Sequence, residues 1–309
     1  MLHFMPWELD HGLLVADKLK RSLYYIGQSD KVYIDMVLNL SGSIIDWEKS
    51  ILKPDFFIAK FNILVELLKN KAPVRSKIYT DNTIYGHLDF QRDAVESHID
   101  AYTYICPDVS FHEHLLFYFF ESAKTIKDEY YLITPQIFKC WDNTWDPLVN
   151  QKYLHVPNTQ CIDIDIHDIE YEHLINSSEP PTIKKLNYFK FAGWMDFYNK
   201  NFYEKLVPIL EEWHGYGPWD LYTLNVCQYA KNNGVNISEY LLENQLIWFY
   251  DTGVLKNDLE YGGHGKLKTL YKNFLSLKTD ANKQRANIES NLNEYLTRWV
   301  QYAKQQKII

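Results

Sequence analysis

Between Leu9 and Ile133, short runs rich in β-branched and aromatic residues alternate with amphipathic stretches, and this alternation limits the fold more than any other feature. Leu9–Tyr25 sets Leu13, Leu14, Ala16, Leu19 and Leu23 at helical spacing, and Phe56–Leu68 is a second amphipathic helix. Lys31–Leu40, Val74–Tyr79, Tyr102–Cys106 and Tyr130–Ile133 read as strands, each followed by turn-forming residues. Asp89–His98 and Leu115–Lys124 supply helices between the later ones. Strands alternating with helices in this way predict an α/β fold built on a sheet with parallel strands.

Farther along, the periodicity weakens from Gln136 to about Pro181, which suggests loops and edge strands. Phe189–Trp194 reads as a strand and Asn201–Trp213 as a helix. The loop His214–Asp220 leads into a helix through Leu221–Asn232, and Val235–Glu239 and Gln245–Tyr250 read as two further strands. Ile288, Leu292, Leu296, Trp299 and Ala303 form one apolar stripe on a terminal helix. Residues 266–309 hold nine Lys/Arg against three acids, so this segment is +6 and the remainder of a −8 chain is −14. The expected organisation is a domain over 1–265 and a basic helical extension over 266–309.

The negative balance argues against a general nucleic-acid binder. The extension's lysines suit a solvated helix face, with a nucleic acid or other acidic partner as the alternative. With 24 Tyr and 9 Trp, the chain has rings to spare for a cleft that meets sugars or bases, although most must be core. The four cysteines are scattered without a CxxC pair, the first twelve residues lack the apolar run of a signal peptide, and no stretch approaches a membrane span of ~20 apolar residues. A soluble cytoplasmic protein is expected.

Five places can carry chemistry. Asp108 stands just after the Tyr102–Cys106 strand and Pro107, where open α/β sheets keep their ligands, and a carboxylate there suits a hard cation that bridges to phosphates. Capping of the next helix is the plainer use of the same residue. Arg92-Asp93, shortly before that strand, offers a guanidinium for a diphosphate, or an ordinary surface ion pair. In WHGYGPWD, two glycines and Pro218 fix a tight loop, and Trp213 and Trp219 flank His214 and Asp220. A carboxylate among rings is placed as a general base would be, and helix capping by Asp220 is the alternative. Asp163, Asp165 and His167 alternate and share one strand face, which fits a metal site or, more commonly, the polar side of an edge strand. His264, between glycines, could close over a site and ligate a metal, or stay solvated.

In order and spacing these pieces resemble nucleotide-sugar glycosyltransferases of the GT-A fold, over about Lys31 to Gly265. In that family a helix ending in an Arg-Asn-like pair precedes a strand whose end carries an Asp-x-Asp metal motif. Arg92-Asp93 followed by Cys106-Pro107-Asp108 looks like that pair of elements, with Cys106 in place of the first acid. Gly215–Asp220 looks like the family's Gly/Trp-rich loop with its acidic base at the start of a helix. The resemblance implies a Rossmann-like mixed sheet flanked by helices, a nucleotide-diphosphate-sugar donor and a hydroxyl acceptor. It implies Asp220 as the base of an inverting transfer, Arg92, Asp93, Asp108 and Trp219 at the donor, and Asp108 and His264 on Mn²⁺ or Mg²⁺. The rival expectations are a metal-dependent hydrolase built on Asp163, Asp165 and His167, and a non-catalytic carbohydrate- or protein-binding module on the same fold.

Overall fold

The computed structural model describes residues 1–27, 31–40, 47–48, 52–80, 99–107, 109–139, 161–163, 180–189, 195–207, 219–249 and 281–309. Ten strands among these form one mixed sheet with helices on both faces, so the chain is α/β.

The first half is built from right-length crossovers. β1 (Leu2–Phe4) is followed by α1 (Leu9–Ile26), β2 (Ile34–Asn39), α2 (Pro54–Lys69), β3 (Val74–Tyr79) and β4 (Ala101–Ile105). β1 pairs in parallel with β2 and with β4, and β2 pairs in parallel with β3. Gly27 ends α1 with φ +67°, its N–H donating to the Leu23 carbonyl at 3.4 Å, a conformation that glycine adopts without strain. Pro54 opens α2 where no intrahelical donor is needed, and Asp55 and Lys69 lie at the ends that favour their charges. Gly12 is required by packing, since a Cβ there would sit 2.5 Å from the Phe4 ring and 3.0 Å from Leu64.

The second half runs β5 (Val109–Phe111), α3 (Leu115–Ala123), β6 (Tyr130–Lys139), β7 (Cys161–Asp163), β8 (Thr182–Lys185), β9 (Met195–Asn199), a π-helical turn at Phe202–Leu206, α4 (Trp219–Asn232), β10 (Ile237–Phe249) and α5 (Ala281–Gln305). The strand order is β3-β2-β1-β4-β9-β6-β10-β5, with β7 on β6 and β8 on β10. β9 is antiparallel to both β4 and β6, so β6 and β10 point the same way as β1 to β4.

Three elements differ from the sequence expectation. The strand expected at Phe189–Trp194 lies at Met195–Asn199. The two strands expected at Val235–Glu239 and Gln245–Tyr250 are one, bent by a bulge between Leu242 and Leu246 where Asn244 takes φ 66°. β6 runs through Thr134-Pro135 instead of stopping there. Pro135 has no N–H to give, and it falls beside the bulge, in the gap between β9 (last paired at Ile133) and β7 (first paired at Ile137). Of the helix expected at Asn201–Trp213, the described part is the short π-helical turn and the remainder lies outside the described residues, as does the helix expected at Asp89–His98.

Two cores sandwich the sheet. On one face α1, α2 and α3 bury Leu19, Phe61, Leu64 and Phe119 against Leu2, Phe4, Met36 and Phe197. On the other, the π-helical turn, α4 and α5 bury Phe202, Tyr222, Cys227 and Trp299 against Tyr102, Leu132 and Tyr198. The boundary expected at 265/266 lies outside the described residues. α5 itself is packed on the domain: Trp299 and Ala303 are fully buried, and the Trp299 indole donates to the Leu206 carbonyl at 2.6 Å.

His3, inside β1, is buried, and burial pushes its imidazole down to about 3. An unfolded histidine titrates near 6.5, so between these values the unfolded chain binds more protons than the folded one. Stability from this group is therefore complete above pH ~6.5 and declines as pH falls toward 3. His3→Gln should flatten the fall in denaturation midpoint between about pH 7 and pH 5 relative to wild type. An unchanged slope would show that His3 is not responsible for it.

Candidate functional site

A crevice in an open α/β sheet forms where successive connections leave a strand in opposite directions, at the carboxyl ends of the strands. Here that place is between β1 and β4. From β1 the chain winds outward to β2 and β3, then returns to lay β4 on β1's other side. The two strands share the pair Leu2↔Ile105, with the Ile105 N–H donating to the Met1 carbonyl at 3.0 Å. β4 stops there while β1 continues to Phe4, so the chain after Ile105 passes beside the end of β1.

The chain around these strand ends is tied by named bonds. After β1, the Met5 N–H donates to Glu8 Oε2 at 2.6 Å, which folds Pro6–Glu8 into a single 3₁₀ turn leading into α1. After β4, the His11 ring on α1 donates through Nδ1 to the Pro107 carbonyl at 2.6 Å, with His11 buried. The Val109 N–H returns to the Cys106 carbonyl at 3.3 Å, and β5 then runs antiparallel to the last residues of β10, with Ser110 opposite Trp248. The segment from Cys106 to Val109 thus crosses from the end of β4 to the carboxyl end of β10. Asp108, within it, lies outside the described residues, as do Arg92, Asp93 and His264. β10 ends at this same edge, at Phe249.

α4 approaches from the second face. Four residues separate its last residue, Asn232, from the start of β10, whose first residue lies level with Tyr130 at the amino end of β6. A helix of 14 residues is about 21 Å long, the length of a six-residue strand. Its first turn, Trp219-Asp220, is therefore on the carboxyl side of the sheet, in the half of the molecule where β4 ends. The loop-into-helix reading of this segment agrees with the helix start at Trp219. The side chains of Trp219 and Asp220 lie outside the described residues, as does the rest of the glycine-rich loop.

Asp163 closes β7, level with Lys139 of β6, while Asp165 and His167 fall outside the described residues. Among the described residues, no three His, Cys, Asp or Glu side chains gather as a metal site. Cys106 is half-buried and is not in a disulfide.

Two buried carboxylates escape a reading by motif. Asp196, on β9 opposite Tyr104, is 1 % exposed and accepts from the Tyr198 hydroxyl at 3.0 Å. Glu239, on β10, is fully buried and accepts from Thr134 Oγ1 at 2.9 Å. Both face the α4 side of the sheet, and Asp196 is one residue inside the carboxyl edge, level with the end of β4. Their only sequence signal is an acid amid apolar strand residues. The Asp35–Arg75 pair, bidentate at 2.7 and 2.8 Å, is structural: it joins facing residues of β2 and β3.

No helix among the described residues is long and apolar enough to cross a membrane. No protein-family model matches the chain, and no curated protein matches it in sequence.

Proposed function

We propose that this chain is a glycosyltransferase of the GT-A type, which moves a sugar from a nucleotide-diphosphate donor to a hydroxyl acceptor with inversion. The observation that carries the reading is the reversal of strand order between β1 and β4. In open α/β sheets such a reversal is where ligands bind, which supports a donor site beside Cys106-Pro107. The first turn of α4, with Asp220, begins on the same side of the sheet.

In this reading the donor diphosphate lies across the ends of β1 and β4, and Arg92 neutralises it as the bond to the anomeric carbon breaks. Asp93 and Trp219 hold the donor. Asp220 takes the proton from the acceptor hydroxyl while that oxygen attacks the anomeric carbon from the face opposite the leaving diphosphate. Asp108 and His264 would hold Mn²⁺ or Mg²⁺, whose chemistry is to neutralise phosphate charge.

The test is slow hydrolysis of a panel of nucleotide sugars, with and without Mn²⁺, by wild type and by Asp108→Asn. One donor should be cleaved in preference to the others, and Asp108→Asn should abolish turnover with an unchanged melting temperature. Near-normal turnover in that variant would remove Asp108 from the reaction; helix capping is not its alternative, since β5 lies between it and α3, whose N-cap is His114. Cleavage of simple phosphodiesters with every nucleotide sugar left intact would favour a hydrolase instead.

A further inference from the structure

The amino end of the sheet, opposite the crevice, carries a surface that the proposed reaction does not use. α1 and α2 run side by side and finish there, with Lys20 of α1 meeting Ile63, Leu67 and Lys71 around an open groove of ≈ 700 Å³. The loops before β2 and β3 lie beside it, since the Ile34 N–H donates to the Pro73 carbonyl at 2.9 Å. Of the eleven exposed large hydrophobic side chains among the described residues, Tyr24, Tyr25, Tyr33, Ile63 and Leu67 lie in the amino-end half of this layer, while Leu13, Leu14 and Phe56 lie nearer the helix starts at the other end. Tyr24 is 82 % exposed and Ile63 57 %.

Charge points to the occupant. The chain as a whole is −8, yet this end presents Lys20, Arg21, Lys31, Lys69 and Lys71 against Asp17 and Glu66. The two acids are taken by Arg21 at 2.9 Å and Lys69 at 2.6 Å, and Glu113 also stands 3.8 Å from Arg21. Lys20, Lys31 and Lys71 have no carboxylate partner among the described residues. Helix carboxyl ends attract cations by themselves, so the lysines alone would be ordinary. Solvent-facing Tyr24, Tyr33, Ile63 and Leu67 between them are not explained by that. Tyrosines and aliphatic side chains interleaved with lysines that have no carboxylate partner among the described residues match the boundary of an anionic bilayer, where rings sit at headgroup depth and ammonium groups meet phosphate.

We infer that the α1–α2 end of this protein docks peripherally on an anionic phospholipid surface, leaving the opposite, carboxyl edge of the sheet facing away from the lipid. The proposal does not depend on the sugar chemistry. Full-length protein is mixed with phosphatidylcholine vesicles, either pure or with about 30 mol% phosphatidylserine, and the bound fraction is read by flotation. Wild type should float with the anionic vesicles only, and added salt should release it. Lys20→Glu/Lys71→Glu and, separately, Ile63→Ser/Leu67→Ser should each lower partitioning by about tenfold or more. All four positions are at the surface, so melting temperatures should stay at the wild-type value. Three results would overturn the proposal: no flotation of wild type, equal flotation with both vesicle types, or variants that float like wild type. A vesicle-free wild-type dimer that both double variants convert to monomer would also overturn it, and would assign the face to a second copy of this chain.

Discussion

Asp220→Asn should lower sugar transfer at least about a hundredfold while donor affinity changes little, because general-base assistance typically contributes ~10²–10⁴-fold. An acceptor hydroxyl is a poor nucleophile near neutral pH, and an inverting transfer needs a base that faces the anomeric carbon. The asparagine keeps the shape and most hydrogen bonds and loses only the capacity to take a proton. Asp220 is the second residue of α4, following a loop held by Gly215, Gly217 and Pro218. The effect should appear in kcat with the donor KM nearly constant. A variant that transfers normally, or a product that retains its anomeric configuration by proton NMR, would leave Asp220 as an acid in the first turn of α4, where the helix dipole favours it.

Trp299→Ala should destabilise the protein by about 3–5 kcal/mol, the usual cost of emptying a buried aromatic site. The indole is fully buried against the π-helical turn and α4, its ring centroid is 5.8 Å from that of Tyr229, and its N–H is satisfied by the Leu206 carbonyl. Since a domain of this kind is stable by only ~5–15 kcal/mol, the loss takes a large share of the whole. Chemical denaturation measures it directly. A shift below about 1 kcal/mol would show that α5 contributes little to the core, since ordinary surface substitutions stay within about ±0.5 kcal/mol.

The sequence is most informative where one periodicity runs long enough to outweigh local ambiguity. α1, α2 and β3 lie within a residue or two of their expected bounds, because α1 and α2 each show a single apolar face and Pro73 marks the start of β3. β6 and β10 are less legible. Pro135 and the Leu242–Leu246 bulge look like ends in the sequence, and only the neighbouring strands let the chain continue through them. Trp299 and Ala303 are buried as the terminal stripe predicts, and Tyr295 joins them. For the site, the legible part is the strand that stops at Pro107. What surrounds it is set by strand order, and the buried acids Asp196 and Glu239 acquire meaning only from the strands beside them. Arg92, Asp165, His167 and His264 belong to segments outside the described residues.

Hydrogen–deuterium exchange with and without nucleoside diphosphates and Mn²⁺ tests the central claim most directly, because it reads where the ligand sits without needing the sugar or the acceptor. At least one of the uridine, guanosine, adenosine, cytidine and thymidine diphosphates should slow exchange in the peptides covering Met5–His11 and Cys106–Phe111. The amino-end peptides around Tyr24–Tyr33 and Leu67–Pro73 should remain unchanged. Protection confined to that opposite end, or none with any of the five, would contradict a nucleotide-sugar site between β1 and β4.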